Sequence, residues 1–106
     1  MNNLEICTKG VSSEFFVLER NFDKNGTLEK IGDKIRQIRE DQGLTQQELG
    51  NTCGCSRAYI SKVERADFPD FSIRLRSYWK TLKKVATALH VTISILMERI
   101  EITKKD

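Results

Sequence analysis

The sequence predicts an all-α fold, and three observations carry that prediction. Thr45 is followed three residues later by Glu48, the pattern of a helix-starting capping box, and Gly54 stands one short helix further on. Leu28, Ile31, Ile35 and Ile38 recur at the spacing of a single helix face. Leu75, Tyr78, Trp79, Leu82, Val85, Ala86 and Leu89 form a longer apolar stripe with the same period.

The elements follow in chain order. Phe15, Phe16, Val17, Leu18 and Phe22 are too dense an apolar cluster for an exposed tail. They predict a helix near residues 13–21, capped by Ser12 or Ser13, that either covers the core or makes a dimer contact. The next helix carries the Leu28–Ile38 face, with Thr27 as its cap, and ends near Gly43. A helix then starts at about Gln46 under the Thr45 hydroxyl. Leu49 and Cys53 lie four apart on its inner face. Gly50 falls where this helix and the next come closest, and Gly54 ends it in the left-handed conformation that glycine adopts freely. Ser56 caps the following helix, whose apolar stripe is Tyr59, Ile60 and Val63. Residues 66–71 read as a loop. A long helix runs from about Ser72 to Leu89 with Trp79 as a core anchor, and a short one from about Thr92 to Glu98 turns Ile93, Leu96 and Met97 inward. Residues 4–7 and 99–103 alternate apolar with polar, which suggests short strands paired with each other or across a dimer. Fraying is the competing reading of two chain ends. The expected organisation is an extension over residues 1–30, a main domain over 31–98 and a tail over 99–106.

Two short helices joined by a glycine turn let the second stand proud and enter the major groove of DNA. Arg57, Ala58, Ser61 and Lys62 lie away from its apolar stripe, on the side where bases would be met. Arg57 can pair bidentately with a guanine, and Ala58 can meet a thymine methyl. An αα-hairpin with no DNA role is the plainer reading. The joint offsets of Gly50, Gly54, Ile60 and Val63 weigh against it. Gln46 sits at a helix N-terminus, where backbone N–H groups attract phosphate. Thr45, Ser56, Tyr59, Arg74 and Arg76 complete the expected phosphate-contacting set.

Charge agrees with this. The chain has 18 basic and 15 acidic side chains. The first thirty residues sum to −1 and the remainder to +4, and no acid lies between Phe71 and Met97. Such a distribution supplies sequence-independent attraction to phosphates. Cys7, Cys53 and Cys55 are an odd set with no second ligand pair, since the one histidine is His90. They predict free thiols, with Cys53 and Cys55 as small core residues, and no metal. No nucleophile-base-carboxylate set or phosphate loop is visible, so no enzyme activity and no cofactor are expected. At 106 residues the chain fits one domain. It shows no apolar run of membrane-spanning length and no signal-peptide pattern, so a cytoplasmic location is expected.

Three stretches, Ile31 to Arg39, Leu44 to Leu49 and Tyr59 to Arg65, resemble the Cro/phage-repressor-type (XRE-like) helix-turn-helix family. Leu82 to Val91 is similar to its fourth helix and Ser94 to Leu96 to the start of its fifth. The resemblance covers about residues 31–97. It implies a lambda-repressor-like five-helix bundle, with the predicted N-terminal helix as an addition, and it implies base-reading roles for Arg57, Ala58 and Lys62. His90 stands where the family has a helix-ending glycine, and the loop before the fourth helix is longer and more aromatic than usual. By this resemblance the chain is a transcriptional regulator, a repressor, that binds double-stranded operator DNA as a homodimer. The alternative is an antitoxin, which binds a toxin and represses its own operon.

Overall fold

A computed structural model describes residues 13–22, 26–68, 74–98 and 100. Among these residues six helices follow one another: α1 (Ser13–Asn21), α2 (Thr27–Asp41), α3 (Gln46–Cys53), α4 (Arg57–Arg65), α5 (Leu75–Leu89) and α6 (Ile93–Leu96). No strand occurs among the described residues. The two alternating segments expected to be strands lie outside those residues, except Ile100, which sits in a bend.

The core explains why each amphipathic stripe exists. Ile31 and Ile35 of α2, Leu49 of α3, Ile60 and Val63 of α4, and Leu82, Val85 and Leu89 of α5 are all essentially without solvent contact. Each such side chain stabilises the fold by roughly 1.5–3 kcal/mol. α4 packs on α2 and α3, while α5 packs on α2, α3 and α6. The approach of α2 to α4 is very close. A Cβ on Gly32 would lie 2.6 Å from the Val63 carbonyl oxygen and nearer still to that of Glu64, so only glycine fits there.

α1 covers this core. Leu18 is completely buried, Phe15 meets Trp79 edge-to-face at 5.3 Å, and Phe22 packs against Tyr78 at 5.9 Å. Trp79 is thereby the expected core anchor. Ile100 is also buried. Leu18 and Ile100 are therefore spent inside the monomer, and of the apolar residues in α1 only Phe16 stays substantially exposed, at 42%. The Tyr78 hydroxyl is enclosed with no hydrogen-bond partner among the described residues, and burial pushes its ionisation far above the ordinary range.

Several boundaries differ from expectation for local reasons. Gly26, at φ 86°, caps α2, and Thr27 is the first helical residue, buried and with no cap hydrogen bond from its side chain. The expected boundary at residue 31 thus falls inside α2. α5 starts at Leu75 rather than Ser72, with Arg74 as its cap, and residues 71–73 lie outside the described set. α6 stops at Leu96: Met97 leaves helical geometry at φ −107°, and the next bonds, Glu98 N–H to Ile95 and Ile100 N–H to Met97, span three residues rather than four. Ala66 and His90 end α4 and α5 at φ 53° and 62°, in a conformation that costs a non-glycine residue about 1–2 kcal/mol.

Candidate nucleic-acid interface

The turn between α3 and α4 is built as its residues require. The Thr45 hydroxyl accepts from the Glu48 N–H at 3.0 Å, and the Glu48 carboxylate accepts from the Thr45 N–H at 2.8 Å, which closes the capping box. Gly54 has φ 76° and ends α3. The Cys55 N–H donates to the Gly50 carbonyl at 2.8 Å. This folds the chain so tightly that a Cβ on Gly50 would stand 2.6 Å from the Cys55 carbonyl oxygen. The close approach at Gly50 is thus to the turn itself. The Ser56 hydroxyl then accepts from the Tyr59 N–H at 3.0 Å and starts α4.

α4 buries Ile60, Val63 and Glu64 and turns the opposite side outward. Arg57, Ala58 and Lys62 are exposed there and Ser61 is half-buried. Arg57 and Ser61 are one helical turn apart, as are Ala58 and Lys62, so the four share a face. The Ser61 hydroxyl accepts from Arg65 Nε at 3.2 Å. Arg57, Lys62, Arg74 and Arg76 make no ion pair among the described residues, which leaves their charge free for another partner.

What fixes α4 relative to α3 is a buried network that the sequence did not reveal. Arg39 donates through Nε to Glu64 Oε2 at 2.6 Å, through one terminal nitrogen to Glu64 Oε1 at 3.1 Å, and through the other to the Leu44 carbonyl at 2.7 Å. Both side chains are almost wholly buried. The hydrogen bond to Glu64 raises the Arg39 pKa despite desolvation, so the guanidinium is firmly charged. Gln46 adds a third donor, with its Nε2 at 3.0 Å from Glu64 Oε1. One ion pair thus ties the end of α2, the loop before α3, the start of α3 and the end of α4.

This geometry sorts the expected phosphate contacts. Thr45 and Ser56 cap with oxygen lone pairs, so each hydroxyl proton is still free to donate to a phosphate. Gln46 has committed one N–H to Glu64 and keeps the other. Tyr59 is different. Thr81 Oγ1 sits 3.1 Å from the Tyr59 hydroxyl and 3.1 Å from the Ser77 carbonyl. Either hydroxyl of the Tyr59–Thr81 pair can donate to the other, so the Tyr59 hydroxyl already has a partner inside the protein. Arg74 and Arg76 are exposed at the start of α5. Cys53 is buried and Cys55 half-buried, both free thiols, and no metal-binding cluster occurs among the described residues.

Fold and turn together define a helix-turn-helix protein. A family model described as a helix-turn-helix domain matches residues 30–74. The HTH-type transcriptional regulator SinR of Bacillus subtilis (strain 168) is 30% identical over 76 residues, 72% of this chain and 63% of that protein. The immunity repressor protein of Bacillus phage phi105 is 30% identical over 77 residues, 72% of this chain and 48% of its own length. The matched region therefore spans less than two thirds of either relative. The crystal structure of the clp gene regulator ClgR from C. glutamicum shares the fold, with a TM-score of 0.55 at 23% identity over 73% of this chain and 96% of that one. The chain carries a helix-turn-helix domain of the Cro/phage-repressor type. No helix among the described residues is long and apolar enough to cross a membrane.

Proposed function

We propose that the protein is a sequence-specific regulator of transcription, a repressor, that binds double-stranded DNA as a homodimer on an inverted-repeat operator. The observation that carries this reading is α4, an outward helix face whose Arg57 and Lys62 make no ion pair among the described residues, locked in place from behind by Arg39 and Glu64. In the groove Arg57 would read a guanine and Ala58 a thymine methyl. Thr45, Gln46, Ser56, Arg74 and Arg76 would hold phosphates and fix the register. Two copies would place their recognition helices about 34–36 Å apart, one turn of the duplex.

The surface on offer for the second copy lies on α1 and α6. Phe16 and Ile95 are the exposed large apolar residues among those described, at 42% and 38%. The Ser94 hydroxyl meets the Glu14 carboxylate, which brings those two helices side by side.

Selection of bound DNA from a random pool, followed by footprinting, tests the reading. An inverted repeat should emerge. Arg57→Ala should then cost about 1–3 kcal/mol and relax preference at one base pair per half-site. An unchanged ratio of operator to random-duplex binding would remove Arg57 from the groove. Sedimentation should show a dimer that Phe16→Glu converts to monomer, and a wild-type chain that stays monomeric at tens of micromolar would refute the dimer. Co-purification with a second small chain would instead support an antitoxin role.

A further inference from the structure

A groove of about 520 Å³ opens between the end of α3 and the second half of α5. Cys53 and Ala88 lie at its base, and Lys83, Lys84, Thr87 and His90 stand around it. Its surface is mostly carbon, from Ala88, Cys53 and the stems of the lysines and threonines, its charged groups are basic, and no acidic residue lines it among those described. Cavities of this size and composition, apolar with a few convergent polar groups, are the usual form of small-molecule sites. Lys84 lies close enough to Cys53 to favour its thiolate, although burial outweighs that effect.

His90 gives a second, independent indication. It ends α5 at φ 62°, a conformation that glycine adopts without penalty and histidine does not. A glycine there would end the helix equally well and relieve the strain. It would also strip an imidazole from the groove. Strain held at a position that lines a cavity is a pointer to binding.

We propose that this groove is a binding site for a small amphipathic carboxylate, with an aromatic or short acyl body on Cys53 and Ala88 and its carboxylate between Lys83, Lys84 and His90. Shape and charge select this occupant together. A neutral apolar molecule leaves the lysines unanswered, and a simple inorganic anion leaves the apolar base wet. The site lies on α3 and α5, apart from the outward face of α4, so it does not depend on the DNA-binding reading. Because Cys53 is the last residue of α3, an occupant would bear directly on the turn at Gly54.

NMR titration of the full chain with 1-naphthoate tests this, with 1-naphthalenemethanol as the uncharged control. Saturable shifts confined to residues 52–55 and 83–90 are expected with the carboxylate, and binding at least fivefold weaker with the alcohol. Lys83→Gln with Lys84→Gln should weaken naphthoate binding at least fivefold without changing the melting temperature. His90→Gly should raise the melting temperature and weaken binding at least threefold, an opposition that a purely structural histidine would not produce. Non-saturating or scattered shifts, equal binding of acid and alcohol, or unchanged affinity in His90→Gly would each overturn the proposal.

Discussion

Removing the charge on Glu64 should be far more damaging than its surface-helix setting suggests. In Glu64→Gln the side chain keeps its shape, but Arg39 stays buried with a net positive charge. The wild-type carboxylate receives three protons, from Arg39 Nε, an Arg39 terminal nitrogen and Gln46 Nε2. A carboxamide offers one oxygen to them and turns its own N–H₂ towards the remaining donors. Breaking a buried ion pair at one partner costs about 3–5 kcal/mol, against a total stability of roughly 5–15 kcal/mol for a domain of this kind. With a urea m-value of about 1–3 kcal/mol/M, the midpoint should fall by on the order of 2 M. Urea titration followed by circular dichroism at 222 nm reads this directly, with m unchanged. Replacing both partners, Arg39→Met with Glu64→Leu, should cost much less than the two single changes added together, because no uncompensated charge remains. A loss below about 1 kcal/mol in Glu64→Gln, or simple additivity in the double variant, would refute the argument that desolvated charge governs this contact.

Two other outcomes follow from the same geometry. Gly50→Ala drives a methyl into the Cys55 carbonyl, so it should destabilise by about 1–3 kcal/mol in chemical denaturation, while Asn51→Ala, one residue on and exposed, should stay within about 0.5 kcal/mol. Burial first, and the neighbouring Cys55 second, push the Cys53 thiol from near 9 up to about 11. The folded chain therefore holds a proton that the unfolded chain releases, and this contribution to stability is complete below pH 9 and lost as pH rises towards 11. Iodoacetamide at pH 8, with the modified sites located by mass spectrometry, should label Cys55 well before Cys53, and equal rates would contradict the burial.

The features legible in the sequence were those fixed by neighbours along the chain. Thr45 with Glu48, Gly54 and Ser56 act within a few residues of themselves, so spacing alone placed α3, the turn and the start of α4. The apolar stripes of α2 and α5 were equally plain, and the dense aromatics of the N-terminal region gave α1 its bounds. What failed to show were partnerships between distant residues. Arg39 and Glu64 are 25 residues apart, and each reads in isolation as a solvated helix charge. Gly32 reads as a weak point in a helix until the carbonyls of α4 come against it. Leu18 and Ile100 could have been core or contact surface, since periodicity cannot say which way an added segment folds back. Thr27 lost the capping position to Gly26, whose left-handed backbone turns the chain into α2 one residue earlier. The hydrogen bond between Tyr59 and Thr81, 22 residues apart, was equally invisible in the sequence.

The buried network also bears on how such a surface reads DNA. Arg57, Ala58 and Lys62 make no contact in the described structure that would orient α4; their placement comes wholly from the hidden side. Gly50 sets how close the turn lies to α3, and Gly32 sets how close α2 lies to α4. Arg39 and Glu64 then hold both distances, with Gln46 on the same carboxylate. Gln46 is thus attached at once to the point where phosphate would bind and to the helix that would enter the groove. A phosphate engaged at the start of α3 would be coupled through one carboxylate to the attitude of α4. Backbone contact and base contact would then be one rigid arrangement, and a change at Glu64 would blur base preference even though Glu64 is 3% exposed and cannot itself touch DNA.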